Sequence, residues 1–197
     1  RIMDYTARYG LEFNPFLKNS KEVLIETQEY KEVQFRLKYL LSTKGFGLLT
    51  GSAGKGKTTA LRSFASSLNP SLYKVVYSSL STLTVMDFYR NLAAELGAVP
   101  AYRKTENFKL IQDEINRLAI EKRQTPVIIM DEANYIGTAI LNDLKILFNF
   151  EMDSRDRAVI LLAGLPQLNN TLRLGIHEPL RQRIVMNYNL DGLSKEE

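Results

Sequence analysis

Apolar residues along the chain follow two rhythms that alternate. Five short runs are nearly continuous: Phe46 to Thr50, Tyr73 to Ser78, Val127 to Asp131, Ala158 to Gly164 and Ile184 to Leu190. Between and before them, apolar positions recur every three or four residues, over Tyr30 to Leu41, Lys57 to Ser67, Val85 to Leu96, Asn107 to Ile120 and Ala139 to Phe150. Runs of the first kind suit strands covered on both faces, and those of the second suit amphipathic helices. Their alternation predicts an α/β fold in which crossover helices flank a parallel sheet. Thr84, Thr105 with Glu106, and Thr138 stand where they can cap helix starts, while Gly97 followed by Pro100 marks a stop. The stripe Leu144, Ile146, Leu147, Phe148 and Phe150 reads as a helix face lying under the sheet.

The first predicted strand runs into GSAGKGKT, which fits G-x-x-x-x-G-K-[ST] at Gly51, Gly56, Lys57 and Thr58 and opens the next helix. A strand before and a helix after give the pattern a mechanism. Glycines let backbone N–H groups fold around a phosphate, and the helix N-terminus adds partial positive charge. Lys57 is placed to bridge β- and γ-phosphate oxygens, and the Thr58 hydroxyl to ligate Mg²⁺. The nucleotide-binding segment is therefore Gly51, Ser52, Ala53, Gly54, Lys55, Gly56, Lys57, Thr58 and Thr59; the pattern itself does not demand Lys55, which suits a solvated position.

A second constellation ends the third strand, in PVIIMDEAN. At the carboxyl end of a strand beside a phosphate loop, Asp131 can hold Mg²⁺ through water while Glu132 orients and activates an attacking water. A glutamate there points to hydrolysis of a nucleoside triphosphate rather than transfer to a metabolite. The expected ligands are a nucleoside triphosphate, which the family resemblance below implies is ATP, and Mg²⁺, and the expected catalytic residues are Lys57 and Glu132.

Composition narrows the setting. The 197 residues carry a net charge of +4, include no cysteine and have one histidine, so disulfides, thiolate metal sites and histidine clusters are excluded. His177 is expected at the surface. The longest apolar runs are too short to cross a bilayer and no signal-peptide pattern begins the chain, so a soluble, cytoplasmic protein without a membrane partner is expected.

With both motifs in place, the sequence resembles the AAA+ ATPases, and more narrowly the group holding ExeA-type ATPases and the transposition accessory ATPases of the TniB, TnsC and MuB kind. YGLEFNPF (Tyr9 to Phe16), TQEYKEVQFRLKYLLSTKGFGLLTG, LLAGLPQL (Leu161 to Leu168) and PLRQRIVMNYNLDGLSKEE carry the resemblance over nearly the whole chain. It implies a three-layer αβα P-loop sandwich with a five-stranded parallel sheet in the order 5-1-4-3-2. It implies an N-terminal segment, 1–29, on the adenine side of a single core, 30–197, without the helical lid of the family. It further implies a ring or filament of identical subunits, with nucleotide at the subunit interface and an arginine finger from the neighbour. Carried onto this chain the finger is Arg183, with Arg181 next, although arginines ahead of an edge strand also serve in surface ion pairs. The adenine wall becomes Phe13, Asn14, Pro15 and Phe16, with Tyr30 nearby; these residues would equally staple the N-terminal segment to the core. Three departures stand out. Ala163 and Gly164 occupy the usual place of a polar sensor, leaving Gln167 as the first candidate; Ser78 or Ser79 must replace a second-strand asparagine; and the lid with its arginine is absent.

The transposition branch of the resemblance implies double-stranded DNA and a transposase as partners. Basic residues available for phosphate contacts are Arg103, Lys104 and Lys109 in one cluster, and Lys122 and Arg123 in another. Such contacts need only accessible Lys or Arg and carry no sequence information. The competing expectations are an ExeA-like ATPase of a secretion or envelope complex and an ATP-dependent scaffold with little hydrolysis.

Overall fold

The structure, a computed structural model, describes residues 20–54, 56–148 and 157–190. In chain order the elements are α1 (Ser20–Thr43), β1 (Gly45–Thr50), α2 (Lys57–Ser67), β2 (Tyr73–Ser79), α3 (Val85–Leu96), α4 (Lys104–Ile120), β3 (Thr125–Asp131), α5 (Thr138–Leu147), β4 (Val159–Gly164), α6 (Gln167–Leu172), α7 (Glu178–Arg181) and β5 (Ile184–Asn189). Single 3₁₀ turns occupy Leu80–Thr82, Ala133–Tyr135 and Gly175–His177.

The strands form one sheet in the order β2-β3-β4-β1-β5, the expected order read from its other edge. Every neighbouring pair is parallel. Alternate residues of each strand enter different cores, as a pleat of period two requires. From β3, Ile128 and Met130 join Leu48 of β1 and Phe88, Leu92, Ile111, Ile115 and Leu144 of α3, α4 and α5. Val127 and Ile129 face the other way, with Leu49 of β1, Val33, Leu37 and Leu40 of α1, and Leu61 and Phe64 of α2. These are the three layers of an αβα sandwich. With hydrophobic layers on both faces, the near-continuous apolar runs of the strands follow directly.

Local signals fared differently. Thr84 caps α3, its hydroxyl accepting from the Asp87 N–H at 3.2 Å, and Gly97 ends that helix at φ 110°. Thr105 and Thr138 do not cap: they lie inside α4 and α5, whose cap positions are Arg103 and Gly137, neither with a side-chain cap bond. Helix α1 starts at Ser20 and runs through the boundary expected at 29/30. In α5, Leu144 and Leu147 are buried, as is Phe148 just after, but Ile146 is 61% exposed on the opposite face. Phe150 lies outside the described residues.

Candidate functional site

Strand β1 delivers the glycine-rich loop, and α2 begins at Lys57 directly behind it. Gly56 holds φ 81° and Gly54 φ 80°, a backbone region that a Cβ would strain. The loop is anchored at its start: Gly51 N–H donates to the Gly164 carbonyl at 3.2 Å, and Thr50 is fully buried with its hydroxyl accepting from Asn169 Nδ2 at 3.0 Å. Lys57 folds over the loop, its ammonium donating to the carbonyls of Gly51 at 2.5 Å and Ser52 at 2.9 Å.

The ends of β2 and β3 complete the site. Asp131 is buried, and its Oδ2 accepts from the Thr58 hydroxyl at 2.7 Å and from the Tyr77 hydroxyl, while its Oδ1 accepts from the Glu132 N–H at 2.8 Å. The strand and the loop thus bring together two oxygen donors that lie 73 residues apart in sequence. Burial, and then the Asp131 carboxylate beside it, push the Tyr77 phenol well above its ordinary pKa, so it stays a donor. An oxygen-only pair, one carboxylate and one hydroxyl, fits Mg²⁺, which favours few protein ligands and fills its shell with phosphate and water. Among the described residues no cluster of three or more His, Cys, Asp or Glu offers a self-sufficient metal site.

Glu132 adopts φ 55°, the left-handed region that non-glycine residues rarely enter. Its Oε2 accepts from the Ser79 hydroxyl at 2.5 Å. Hydrogen bonds from Ser79 first, and then from Ser81, hold its pKa below the usual carboxylate value. Of the two serines offered for the second-strand position, Ser79 is the one bonded to Glu132. A cavity of about 380 Å³ opens between these groups, bounded by Gly56, Lys57 and Thr58 on one side and by Asp131, Glu132 and Asn134 on the other.

The remaining expected residues are distributed as follows. Ser52, Ala53 and Gly54 form the exposed crest of the loop, and Thr59 lines the cavity. Lys55, and Phe13, Asn14, Pro15 and Phe16 of the adenine wall, lie outside the described residues. Tyr30 is tied to α2, its hydroxyl 2.5 Å from Ser63 Oγ. Gln167 is exposed at the start of α6 and does not line the cavity. Arg183 is partly buried in its own chain, donating to the Lys145 carbonyl at 3.4 Å and lying 6.0 Å from the Phe46 ring centroid. Arg181 is exposed and donates to the Arg173 carbonyl at 3.1 Å. Neither lines the cavity of its own chain.

Basic residues do not form one patch. Arg103 and Lys104 sit at the start of α4 and Lys109 in its second turn, with Lys122 and Arg123 beyond its end, so the helix separates the two clusters by about 20–25 Å. Lys104 is already engaged, 2.5 Å from Asp143 and 5.3 Å from the Tyr89 ring centroid. His177 contradicts the surface expectation: it is fully buried and neither ring nitrogen has a hydrogen-bond partner. Residues missed from sequence are Tyr77, Ser81 and Asn134. Tyr77 sits two residues before Ser79 on a strand predicted correctly, but nothing in a lone sequence says which strand-end hydroxyl reaches the carboxylate.

A family model described as AAA domain matches residues 39–172, which spans both nucleotide motifs. The chain belongs to the AAA domain family. Within it, the chain is 32% identical to General secretion pathway protein A of Aeromonas hydrophila over 98% of its own length and 36% of that protein. It is 29% identical to the ATP-dependent target DNA activator B of Escherichia phage Mu over 62% of this chain and 37% of that one. It thus spans about a third of the length of these curated relatives. The AAA fold is also that of Cdc6p from Pyrobaculum aerophilum, with a TM-score of 0.63 at 16% identity over 93% of this chain and 49% of that chain. The Aeropyrum pernix ORC1 protein, solved in complex with DNA, aligns with a TM-score of 0.63 at 18% identity over 85% of this chain and 45% of that one. No described helix is long and apolar enough to cross a membrane.

Proposed function

We propose that the chain binds ATP with Mg²⁺ at Gly51 to Thr59 and hydrolyses it to ADP and phosphate. The observation that carries this reading is the Thr58–Asp131 hydrogen bond of 2.7 Å, which sets the loop and the acidic strand end on one cavity with Glu132 beside them. Backbone N–H groups of the loop and the start of α2 bind the phosphates. Lys57 exchanges its bonds to Gly51 and Ser52 for β- and γ-phosphate oxygens. Glu132, kept ionised by Ser79 and Ser81, accepts a proton from water as the water oxygen attacks the γ-phosphorus; the bond to the β-phosphate bridging oxygen breaks and ADP departs. Thr58 and Asp131 would hold Mg²⁺, which would supply charge neutralisation on the phosphates. The segment 1–29 walls the adenine with Phe13, Asn14, Pro15 and Phe16.

In the same reading the protein assembles as a ring or filament, with Arg181 or Arg183 reaching the neighbour's γ-phosphate. Exposure favours Arg181. The assembly loads on double-stranded DNA and assists transposition by recruiting a transposase; likeness to the phage Mu activator supports this. A second reading, an ATPase of a secretion complex, is favoured by the 98% coverage of the match to General secretion pathway protein A. Fluorescence anisotropy of labelled random-sequence duplex, titrated with an ATP analogue, with ADP and without nucleotide at two salt concentrations, separates them. Salt-sensitive binding only with the ATP analogue supports DNA loading; no binding in any state supports the secretion reading.

A further inference from the structure

Strand β4 ends at Gly164, directly across the cavity wall from the phosphate loop, and a side chain there has no room. A Cβ built on Gly164 meets the Asn134 backbone nitrogen and the Asn134 Oδ1 at 3.0 Å each, and Leu168 at 3.3 Å. The space that a polar side chain from the strand would take is already filled by Asn134, two residues beyond Glu132. Its orientation is fixed: Oδ1 accepts the Leu165 N–H at 3.3 Å. An N–H donor there requires the amide oxygen to face it, so the amide NH₂ points the other way. That NH₂ has no protein partner among the described residues, and Asn134 lines the cavity together with Lys57, Thr58 and Glu132. A two-proton donor oriented at the wall of a phosphate cavity is the arrangement that stabilises charge on a transferring phosphoryl group.

We infer that Asn134 is a catalytic residue, donating its side-chain amide N–H to a γ-phosphate oxygen or to the attacking water. The inference rests on the ATP hydrolysis reading above. It gives a physical account of Gly164: the glycine is there because the polar group comes from the turn after β3 rather than from β4.

The test uses three variants of the full chain. Asn134→Ala removes the donor; ATP affinity stays within about threefold and single-turnover hydrolysis falls about 100-fold or more, the scale of losing one oxyanion donor. Asn134→Asp keeps the acceptor for Leu165 N–H, and hence the fold of the turn, but turns the donor into a second acceptor facing phosphate. It weakens ATP binding at least tenfold more than ADP binding, a selectivity that a merely structural residue does not confer. The exchange Asn134→Gly with Gly164→Asn removes the 3.0 Å contact with the Asn134 side chain, leaves the contacts with its backbone nitrogen and with Leu168 to be accommodated, and returns an amide from the strand side, recovering at least a tenth of the wild-type rate. Hydrolysis by Asn134→Ala at the wild-type rate, or equal losses of ATP and ADP affinity in Asn134→Asp, overturns the inference. Wild-type protein that binds ATP but does not turn it over, with Glu132→Gln indistinguishable from it, overturns the hydrolysis reading and this inference with it.

Discussion

Ser79 Oγ donates to Glu132 Oε2 at 2.5 Å, joining the last residue of β2 to the carboxylate that follows β3. The bond acts on the ionised form of Glu132 and lowers its pKa, with Ser81 adding to the effect. A donor to the charged form favours that form. Ser79→Ala therefore moves the acid limb of the kcat/KM–pH profile of ATP hydrolysis to higher pH. Steady-state phosphate release across pH 4 to 8 checks this; an unmoved acid limb contradicts it.

Tyr77 makes the matching contact to Asp131. Tyr77→Phe leaves one carboxylate lone pair without its donor and frees the side chain to turn away from Thr58. Loss of an outer partner of a metal ligand commonly costs 10–100-fold in metal affinity. The Mg²⁺ concentration for half-maximal binding of a fluorescent ATP analogue is expected to rise about tenfold or more in this variant. Binding without Mg²⁺ is expected to be little changed.

His177 links stability to pH. Burial, and then the positive charge of Lys145, depress its pKa, and neither ring nitrogen has a partner. The unfolded chain takes up a proton near pH 6.5, whereas the folded chain resists until its lower value is reached. Stability is therefore lost as pH falls below the ordinary imidazole value. His177→Leu removes this slope, so thermal melts at pH 7.5 and 5.5 should draw closer together than in the wild type.

Gly47 on β1 lies directly against Leu40 of α1. An added Cβ would sit 2.5 Å from Leu40 Cδ2 and 3.2 Å from Met186 Sδ. Leu40 is fully buried, so its movement displaces neighbours in turn. Gly47→Ala is expected to cost about 1–3 kcal/mol by overpacking, and calorimetry would register about 2–4 °C of Tm for each kcal/mol.

Lys104 is a poor probe of DNA binding because it pairs with Asp143 within its own chain. Charge reversal at Arg103 and Lys109 leaves that pair intact. If the start of α4 meets phosphates, this double variant lowers the slope of log affinity against log salt by about 2, one for each contact. An unchanged slope moves the contact to Lys122 and Arg123.

Much of the fold was legible because the sheet is buried on both faces. Strand cores from Phe46 to Ile184 stood out as apolar runs, and the phosphate loop fixed where β1 ends and α2 begins. What failed was local or short. Thr105 and Thr138 are good caps in isolation, but α4 starts one residue before Thr105 and α5 at Thr138 itself, so the cap positions fall on Arg103 and Gly137. The six-residue α6 is too brief for a periodic signal, and Ile146 shares the apolar character of its neighbours while pointing outward. At the site, a linear motif supplied Lys57, Thr58, Asp131 and Glu132. The sequence narrowed the second-strand position to Ser78 or Ser79, and only strand register, which pairs Ser79 with Asp131, decides between them; Tyr77 and Asn134 gain their places only in the folded chain, where Gly164 lies against the turn after β3.

The most direct measurement is a single-turnover assay of γ-labelled ATP with wild-type protein and Glu132→Gln, each with its ATP affinity measured separately. The account predicts that Glu132→Gln binds ATP within about threefold of wild type and releases phosphate at least 100-fold more slowly, the scale of losing a general base. Equal rates from the two proteins would contradict it.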